Sequence, residues 1–335
     1  MQAITVTDGR LALAEVPAPR AGNGTASADA CANTGPGPGE VLIDVHATAV
    51  NRADLLQAAG LYPPPPGASD ILGLECAGRV AAIGEGVTQW AVGDAVCALL
   101  AGGGYASQVL VDARHCLPLP AGLSFEEGAA LPEAFATAWL NLFREAGLHP
   151  GERVLLPAGA SGVGTAAIQL CNAFGNPCFV SVGTAEKLAA CLALGATAGI
   201  VRSKRALTDL LGQEGVDVIL DAVAGSALDS HLRLLKPDGR LVLIGLMGGR
   251  TAPVDLGRLL VKRLRVIGST LRSRHADDKA ALIAELRERV WPLFASGALR
   301  PVIDSRFPLA EAAAAHAHVA ANRNIGKVIL TVVAR

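Results

Sequence analysis

The 335-residue sequence carries no excess charge of either sign: 29 Lys and Arg face 30 Asp and Glu, a net charge of -1. Without a basic field, it has nothing general with which to gather nucleic acid or an anionic membrane. No apolar run approaches the roughly 18 residues of a membrane-crossing helix. Mean hydropathy is nevertheless +0.40, because Ala and Gly supply much of it. The start, Met1-Gln-Ala-Ile-Thr-Val-Thr-Asp, lacks the basic and apolar segments of a secretory leader. The seven cysteines, Cys31, Cys76, Cys97, Cys116, Cys171, Cys178 and Cys191, form no CxxC pair and have no His at finger spacing. Neither a zinc module nor a disulfide framework is indicated, and most should be small buried hydrophobes. These absences lead us to expect a soluble, cytoplasmic protein of a reducing compartment. What is plentiful is apolar residues, 51% against 18% charged, enough for a sizeable core and two medium domains.

The two parts of the chain differ in pattern. Residues 41–49 alternate apolar and polar, as a half-buried strand does, and short runs at 78–83, 95–100 and 105–111 follow between Gly-rich turns. Residues 17–39, rich in Gly, Pro, Ala, Ser and Asn, read as a surface-loop insertion. Ser124 and Glu127 have capping-box spacing and predict a helix running towards Leu131. From Pro150 onward strands and helices alternate. Strands are expected at 153–157, 178–182, 199–201, 216–221, 240–246 and 265–271, and helices at 165–174, 185–194, 207–211 and 227–235. Units of this length predict a parallel, doubly wound sheet. Residues 277–294 read as one long helix with Leu282, Leu286, Val290 and Leu293 on a single face. Strands at 302–307 and 327–333 are expected to return to the first domain.

The segment Leu156-Pro-Ala-Gly159-Ala160-Ser161-Gly162-Val163-Gly164-Thr165 carries the most information. It follows a predicted strand and opens a predicted helix, the context a dinucleotide fingerprint requires. Three glycines let the main chain approach a diphosphate that side chains would hold off, and the helix N-terminus supplies free N–H groups. Such turns are common in α/β proteins, so the weight comes from the alternation around this one. The end of the next strand selects the cofactor. NAD sites usually carry a carboxylate about 20 residues past the turn; here stand Gly183, Thr184 and Lys187, with Arg202 after the following strand. NADP(H) is therefore favoured; the plainer alternative is that Lys187 and Arg202 are only solvated surface charges.

Further segments carry a resemblance. Val50-Asn51-Arg52-Ala53-Asp54-Leu55, Gly60-Leu-Tyr62-Pro-Pro-Pro-Pro-Gly67 and Ile71-Leu-Gly73-Leu74-Glu75-Cys-Ala-Gly78 resemble the zinc-independent quinone oxidoreductases of the medium-chain dehydrogenase/reductase superfamily. The glycine turn, Gly245-Leu-Met-Gly-Gly249, Leu271-Arg-Ser-Arg274 and Ala321-Asn-Arg-Asn-Ile-Gly-Lys327 are similar to the branch typified by the human enzyme induced by the tumour-suppressor response. The resemblance spans the chain outside 17–39. It implies a GroES-like β-rich catalytic domain (1–131 and 298–335), a Rossmann domain (132–297), NADPH as cofactor and a homodimer formed through the Rossmann sheets. It also implies that Thr184, Lys187 and a tyrosine hold the ribose phosphate; this chain has Arg202 at the tyrosine position. The cofactor set expected is Thr137, Gly159, Ala160, Ser161, Gly162, Val163, Gly164, Gly183, Thr184, Lys187, Arg202, Val223, Leu246, Leu271, Asn324 and Lys327.

Zinc-dependent relatives carry Cys where Asn51 stands and Gly-His-Glu where Gly73-Leu74-Glu75 stands, so no metal site is expected. Reduction must then rely on hydride from NADPH to an already electrophilic acceptor, a quinone or similarly activated carbonyl. Asn51 and Tyr62 are the expected catalytic donors, Asn51 through an amide N–H to the developing oxyanion or to the nicotinamide ribose and Tyr62 through its phenolic O–H to a carbonyl oxygen. The plainer alternatives are a turn cap for Asn51 and a pocket wall for Tyr62. Tyr62, Phe135 and Leu246 are expected to line the substrate pocket, with Leu271 beside the nicotinamide. His46, His316 and His318 accompany no GxSxG elbow, so hydrolysis is unsupported. The Arg residues of 258–265 and 272–274 read as a solvated edge or dimer rim rather than a nucleic-acid surface. Enone reduction, or a cofactor-sensing or nucleic-acid-binding role that keeps NADPH affinity with little turnover, are the competing functions.

Overall fold

The computed structural model describes residues 1–20, 35–202, 204 and 206–332. Most of the expected 17–39 insertion therefore lies outside the described residues. The chain forms two compact units, Met1–Ala136 with Arg272–Arg335, and Thr137–Leu271.

In the first unit a seven-stranded sheet has the order Ile303–Pro308, Lys327–Thr331, Glu40–Val50, Glu75–Ile83, Ala95–Leu99 and Cys116–Pro118, with Gln108–Asp112 also pairing to Glu40–Val50. All pairings are antiparallel except the first, between the two returning C-terminal strands. The alternation read at 41–49 is real: Val41, Ile43, Val45 and Ala47 are all buried. The box at Ser124 also forms, with Ser124 N–H donating to Glu127 Oε2 at 2.8 Å. Its helix, Phe125–Gly128, stops before Leu131, because Pro132 opens a new helix, Pro132–Trp139.

Two expectations need correcting. The predicted single helix over 277–294 is two, Ala276–Arg289 and Trp291–Ala295, broken where Pro292 has no N–H to continue the ladder. The same residues belong to the first unit, not to the Rossmann region expected to run to 297. Trp291 Nε1 donates to Pro118 O at 2.8 Å, His115 Nε2 meets Ala276 O at 2.9 Å, and Leu282, Leu286 and Val290 are buried.

The second unit is the doubly wound sheet. Its six parallel strands run in the order Ala198–Val201, Cys178–Val182, Val154–Leu156, Val216–Asp221, Leu235–Leu243 and Arg265–Gly268. Numbered along the chain this is 3-2-1-4-5-6, the order of a dinucleotide-binding sheet. The strand order reverses beside Val154–Leu156, so the glycine turn that follows it lies at the switch point. Among the described residues no helix is long and apolar enough to cross a membrane.

Candidate functional site

The glycine turn is built as its sequence requires. Ser161 caps the helix Gly162–Ala173, accepting the Gly164 N–H at 3.0 Å and donating to Ala158 O at 2.8 Å. A Cβ on Gly164 would lie 2.4 Å from Ala158 O and 2.5 Å from Gly159 O; one on Gly159 would lie 2.7 Å from Val180 Cβ. The backbone packs on itself there, which only glycine permits. At the end of the adjoining strand Thr184 caps Ala185–Ala193, its Oγ1 accepting the Lys187 N–H at 3.2 Å. The Arg202 guanidinium reaches back across both strand ends, Nη1 donating to Pro157 O at 2.9 Å and to Ser181 O at 3.1 Å. Its Nη2 lies over Gly183, 3.7 Å from where a Cβ would be. The partners are neutral carbonyls, and no carboxylate among the described residues pairs with the charge. These residues form a cradle that fits a phosphorylated dinucleotide.

Other residues of this unit frame the carboxyl ends of the strands. Val223 is half-buried, Leu246 is 49% exposed and Leu271 is buried. Thr137 is buried, its carbonyl accepting Asn141 Nδ2 at 2.7 Å. The sequence reading missed Asp221 and His231. Asp221 Oδ1 accepts the N–H groups of Val223 and Ala224 at 2.7 and 3.0 Å, and Oδ2 meets His231 Nδ1 at 2.8 Å. Burial would raise this carboxyl, but His231 and the two N–H groups outweigh it and hold it below the usual range. The pair fixes the turn at Ala224 (φ +54°), which packs under Gly248, whose N–H donates to Val223 O at 2.6 Å.

In the first unit, sheet topology brings three distant segments together. Val328 pairs with Val50, and Cys76 pairs with Thr48, so Lys327, Asn51 and Glu75 meet at one strand end. Lys327 Nζ lies 2.7 Å from Glu75 Oε1, 2.6 Å from Asn51 Oδ1 and 3.3 Å from Val50 O, which occupies all three of its donors. Asn51 Nδ2 donates to Glu75 Oε1 at 2.9 Å and to Ala49 O at 3.3 Å; Glu75 Oε2 accepts the Glu133 N–H at 2.9 Å. Glu75 is fully buried and Lys327 is 4% exposed. Both amide hydrogens of Asn51 are thus engaged within the protein, and Asn51 holds the cluster rather than offering a free donor. Zinc does not fit this donor set: both Glu75 oxygens are taken, and the Lys327 ammonium lies between Glu75 and Asn51. Among the described residues no group of three or more His, Cys, Asp or Glu could hold a metal ion.

Tyr62 is half-buried, and burial raises its hydroxyl above the usual phenol range while Arg272 opposes the rise and Glu133 adds to it. Phe135 is 2% exposed, edge-on to Phe294 with ring centres 5.0 Å apart, and so belongs to apolar packing more than to a pocket wall. Asn324 Nδ2 donates locally to Gly326 O at 2.7 Å. Arg272, expected on a solvated rim, is 4% exposed; the only signal for it was its place in the Leu271–Arg274 motif.

A second buried group lies beneath Asn51. Asp54 Oδ2 accepts the Asn51 N–H at 2.7 Å and faces Tyr105 Oη at 3.3 Å, and Tyr105 Oη meets His316 Nε2 at 3.1 Å. Burial raises Asp54 from 3.8 to about 6, partly offset by the N–H groups of Asn51 and Gly73. Burial lowers His316 from 6.5 to about 4. Between about 4 and 6 the fold holds a proton on Asp54 that the unfolded chain has released, so this contribution to stability falls as pH rises. Between about 4 and 6.5 the unfolded chain protonates a histidine that the fold keeps neutral, so the second contribution rises with pH. The two slopes oppose each other. In His316→Gln only the Asp54 slope remains: the parent should gain on the variant by about 3 kcal/mol from pH 4 to 6.5, measured by urea unfolding across pH. Parallel curves would contradict this.

Comparison with known proteins agrees with the geometry. A family model described as alcohol dehydrogenase GroES-like domain matches residues 37–121, and one described as zinc-binding dehydrogenase matches residues 162–288. The crystal structure of the quinone oxidoreductase from Thermus thermophilus, solved also with NADPH, superposes with a TM-score of 0.80 at 34% identity, covering 99% of this chain and 100% of that one. The chain belongs to the medium-chain dehydrogenase/reductase superfamily. Within that superfamily it is also 32% identical to the Homo sapiens synaptic vesicle membrane protein VAT-1 homolog over 311 residues, 87% of this chain and 79% of that protein. It is 37% identical over 294 residues to polyketide synthase GfsB of Streptomyces halstedii, covering 88% of this chain but spanning only 5% of that protein's length. The fold expected from the sequence, a GroES-like domain with a Rossmann sheet, is the one found.

Proposed function

We propose that the protein is an NADPH-dependent reductase of quinones and similarly activated carbonyls that works without zinc. The observation that carries this reading is the pairing of the glycine turn with the uncompensated Arg202 charge at the end of the same strands. Together they suit a diphosphate and a 2′-phosphate, the latter through charge-assisted hydrogen bonds. NADPH, when bound, supplies a hydride. Gly159, Ala160, Ser161, Gly162, Val163 and Gly164 would hold its diphosphate, and Gly183, Thr184, Lys187 and Arg202 its ribose phosphate. The loop fixed by Asp221 and His231 presents Val223, with Leu246 and Leu271, to the nicotinamide. Tyr62 donates a hydrogen bond, then a proton, to the oxygen of the reduced acceptor, while Asn51 and Lys327 stay locked to Glu75. With no Lewis acid the acceptor must be electrophilic on its own, which selects quinones over simple ketones. A screen of quinones and enones with NADPH and NADH side by side tests this. Oxidation of NADPH by quinones is expected, turnover of enones alone would transfer the protein to the enone reading, and none with either would refute both.

The assembly we propose is a homodimer joined at the Rossmann sheet. Arg265–Gly268 is one edge strand, and in the helix that precedes it Leu256, Leu260 and Val261 expose 72, 78 and 76% of their surface, a patch that water alone covers poorly. The parent chain should sediment as a dimer and the double variant Leu260→Glu/Val261→Glu as a monomer. A parent that sediments at monomer mass would contradict the proposal.

A further inference from the structure

Arg272 is a buried cation that the reduction scheme does not use. Its Nε donates to Ala101 O and its Nη2 to Gln57 Oε1, both at 2.8 Å. Its Nη1 is buried with no hydrogen-bond partner among the described residues. A buried charged donor without an acceptor is costly to keep. What stands before this guanidinium is the Tyr62 ring, its centre 5.5 Å from Arg272 Cζ, within range of a cation–π contact. Gln57 is itself held, Nε2 donating to Asp70 O at 2.9 Å, and Lys279 Nζ donates to Arg272 O at 3.3 Å. The guanidinium therefore has a fixed address, and Tyr62 is set against it.

We infer that Arg272 is a positioning residue for Tyr62: its guanidinium seats the phenol ring and favours the charge that gathers on Oη as the hydroxyl proton passes to the acceptor. This rests on the reading of Tyr62 as the donor. In the step, the carbonyl accepts a hydride with its electron pair, the resulting oxyanion takes the Tyr62 proton, and water restores that proton to the phenolate. Arg272 forms and breaks no bond. A lysine would carry the charge but not the planar fork that Ala101 and Gln57 hold.

The charged groups acting on Tyr62 are Arg272 and, with opposite sign, Glu133. Removing the cation must then make the phenol a weaker acid. Tyrosinate absorbance of the full chain, titrated without substrate, should show the Tyr62 transition moving to higher pH in Arg272→Met and remaining nearer its parent position in Arg272→Lys. Tyr62→Phe assigns the transition, since Tyr105 is fully buried. With quinone and NADPH, Arg272→Met should lose about tenfold in kcat, with KM for NADPH unchanged and the alkaline limb of the kcat profile shifted upward. An unmoved Tyr62 transition in a folded Arg272→Met or Arg272→Gln protein, judged by a cooperative melt, would overturn the inference. If Tyr62→Phe turned over quinones like the parent while the transition still moved, the donor reading would fail and the Arg272–Tyr62 coupling would stand.

Discussion

Replacing Lys327 with Met should lower stability by about 3–5 kcal/mol, the cost of stripping a buried carboxylate of its counter-charge. Glu75 has no surface and two oxygens committed to fixed donors, so it can neither turn to water nor find another cation. Asn51 would lose the ammonium on its Oδ1 at the same time. Adding Glu75→Gln to Lys327→Met should recover a large part of the loss, because the double variant buries no unpaired charge. Denaturant unfolding of the four proteins of the cycle measures it. Two single losses that simply add in the double variant would show that the pair is not coupled, and the reading of this cluster would be wrong.

That cluster shows where the sequence was readable and where it was not. Asn51 and Glu75 were singled out as occupants of positions where zinc relatives carry ligands, and Lys327 by its motif. Nothing in linear order said that the ammonium would lie between the other two, because that depends on the register of three strands, one of which brings Lys327 from 276 residues beyond Asn51. Local signals did better. The turn at Gly159–Gly164, the capping box at Ser124 and the strand at Val216–Asp221 depend on neighbours a few residues away, and all are formed. One local signal was passed over: Asp8-Gly9, both at positive φ, joins Gln2–Thr7 to Arg10–Glu15 in a hairpin whose turn chemistry is written in those two residues. Arg272 and the Asp221–His231 pair escaped for the opposite reason. A buried arginine looks like a surface one until its acceptors are seen, and here they lie at Gln57 and Ala101.

The second large effect is expected at Gly164. Alanine there places a Cβ about where the carbonyl oxygens of Ala158 and Gly159 already stand, at 2.4 and 2.5 Å. Main-chain atoms cannot swing aside as a side chain can, so the turn must open, and the amides proposed to hold the diphosphate lose their common direction. Affinity for NADPH should fall about a hundredfold, near 3 kcal/mol. A melt without nucleotide separates this loss from any loss of fold, and unchanged affinity in Gly164→Ala would remove the glycine turn from the binding site.

A main-chain cradle and the Arg202 charge are proposed to recognise a phosphorylated dinucleotide together. Calorimetric titration of the purified chain with NADPH and with NADH tests this most directly. NADPH should bind at least about tenfold more tightly, a difference of about 1.4 kcal/mol, and Arg202→Gln should erase most of that margin. Equal affinities in the parent would contradict the role given to Arg202, and the absence of heat from either nucleotide would contradict the whole account.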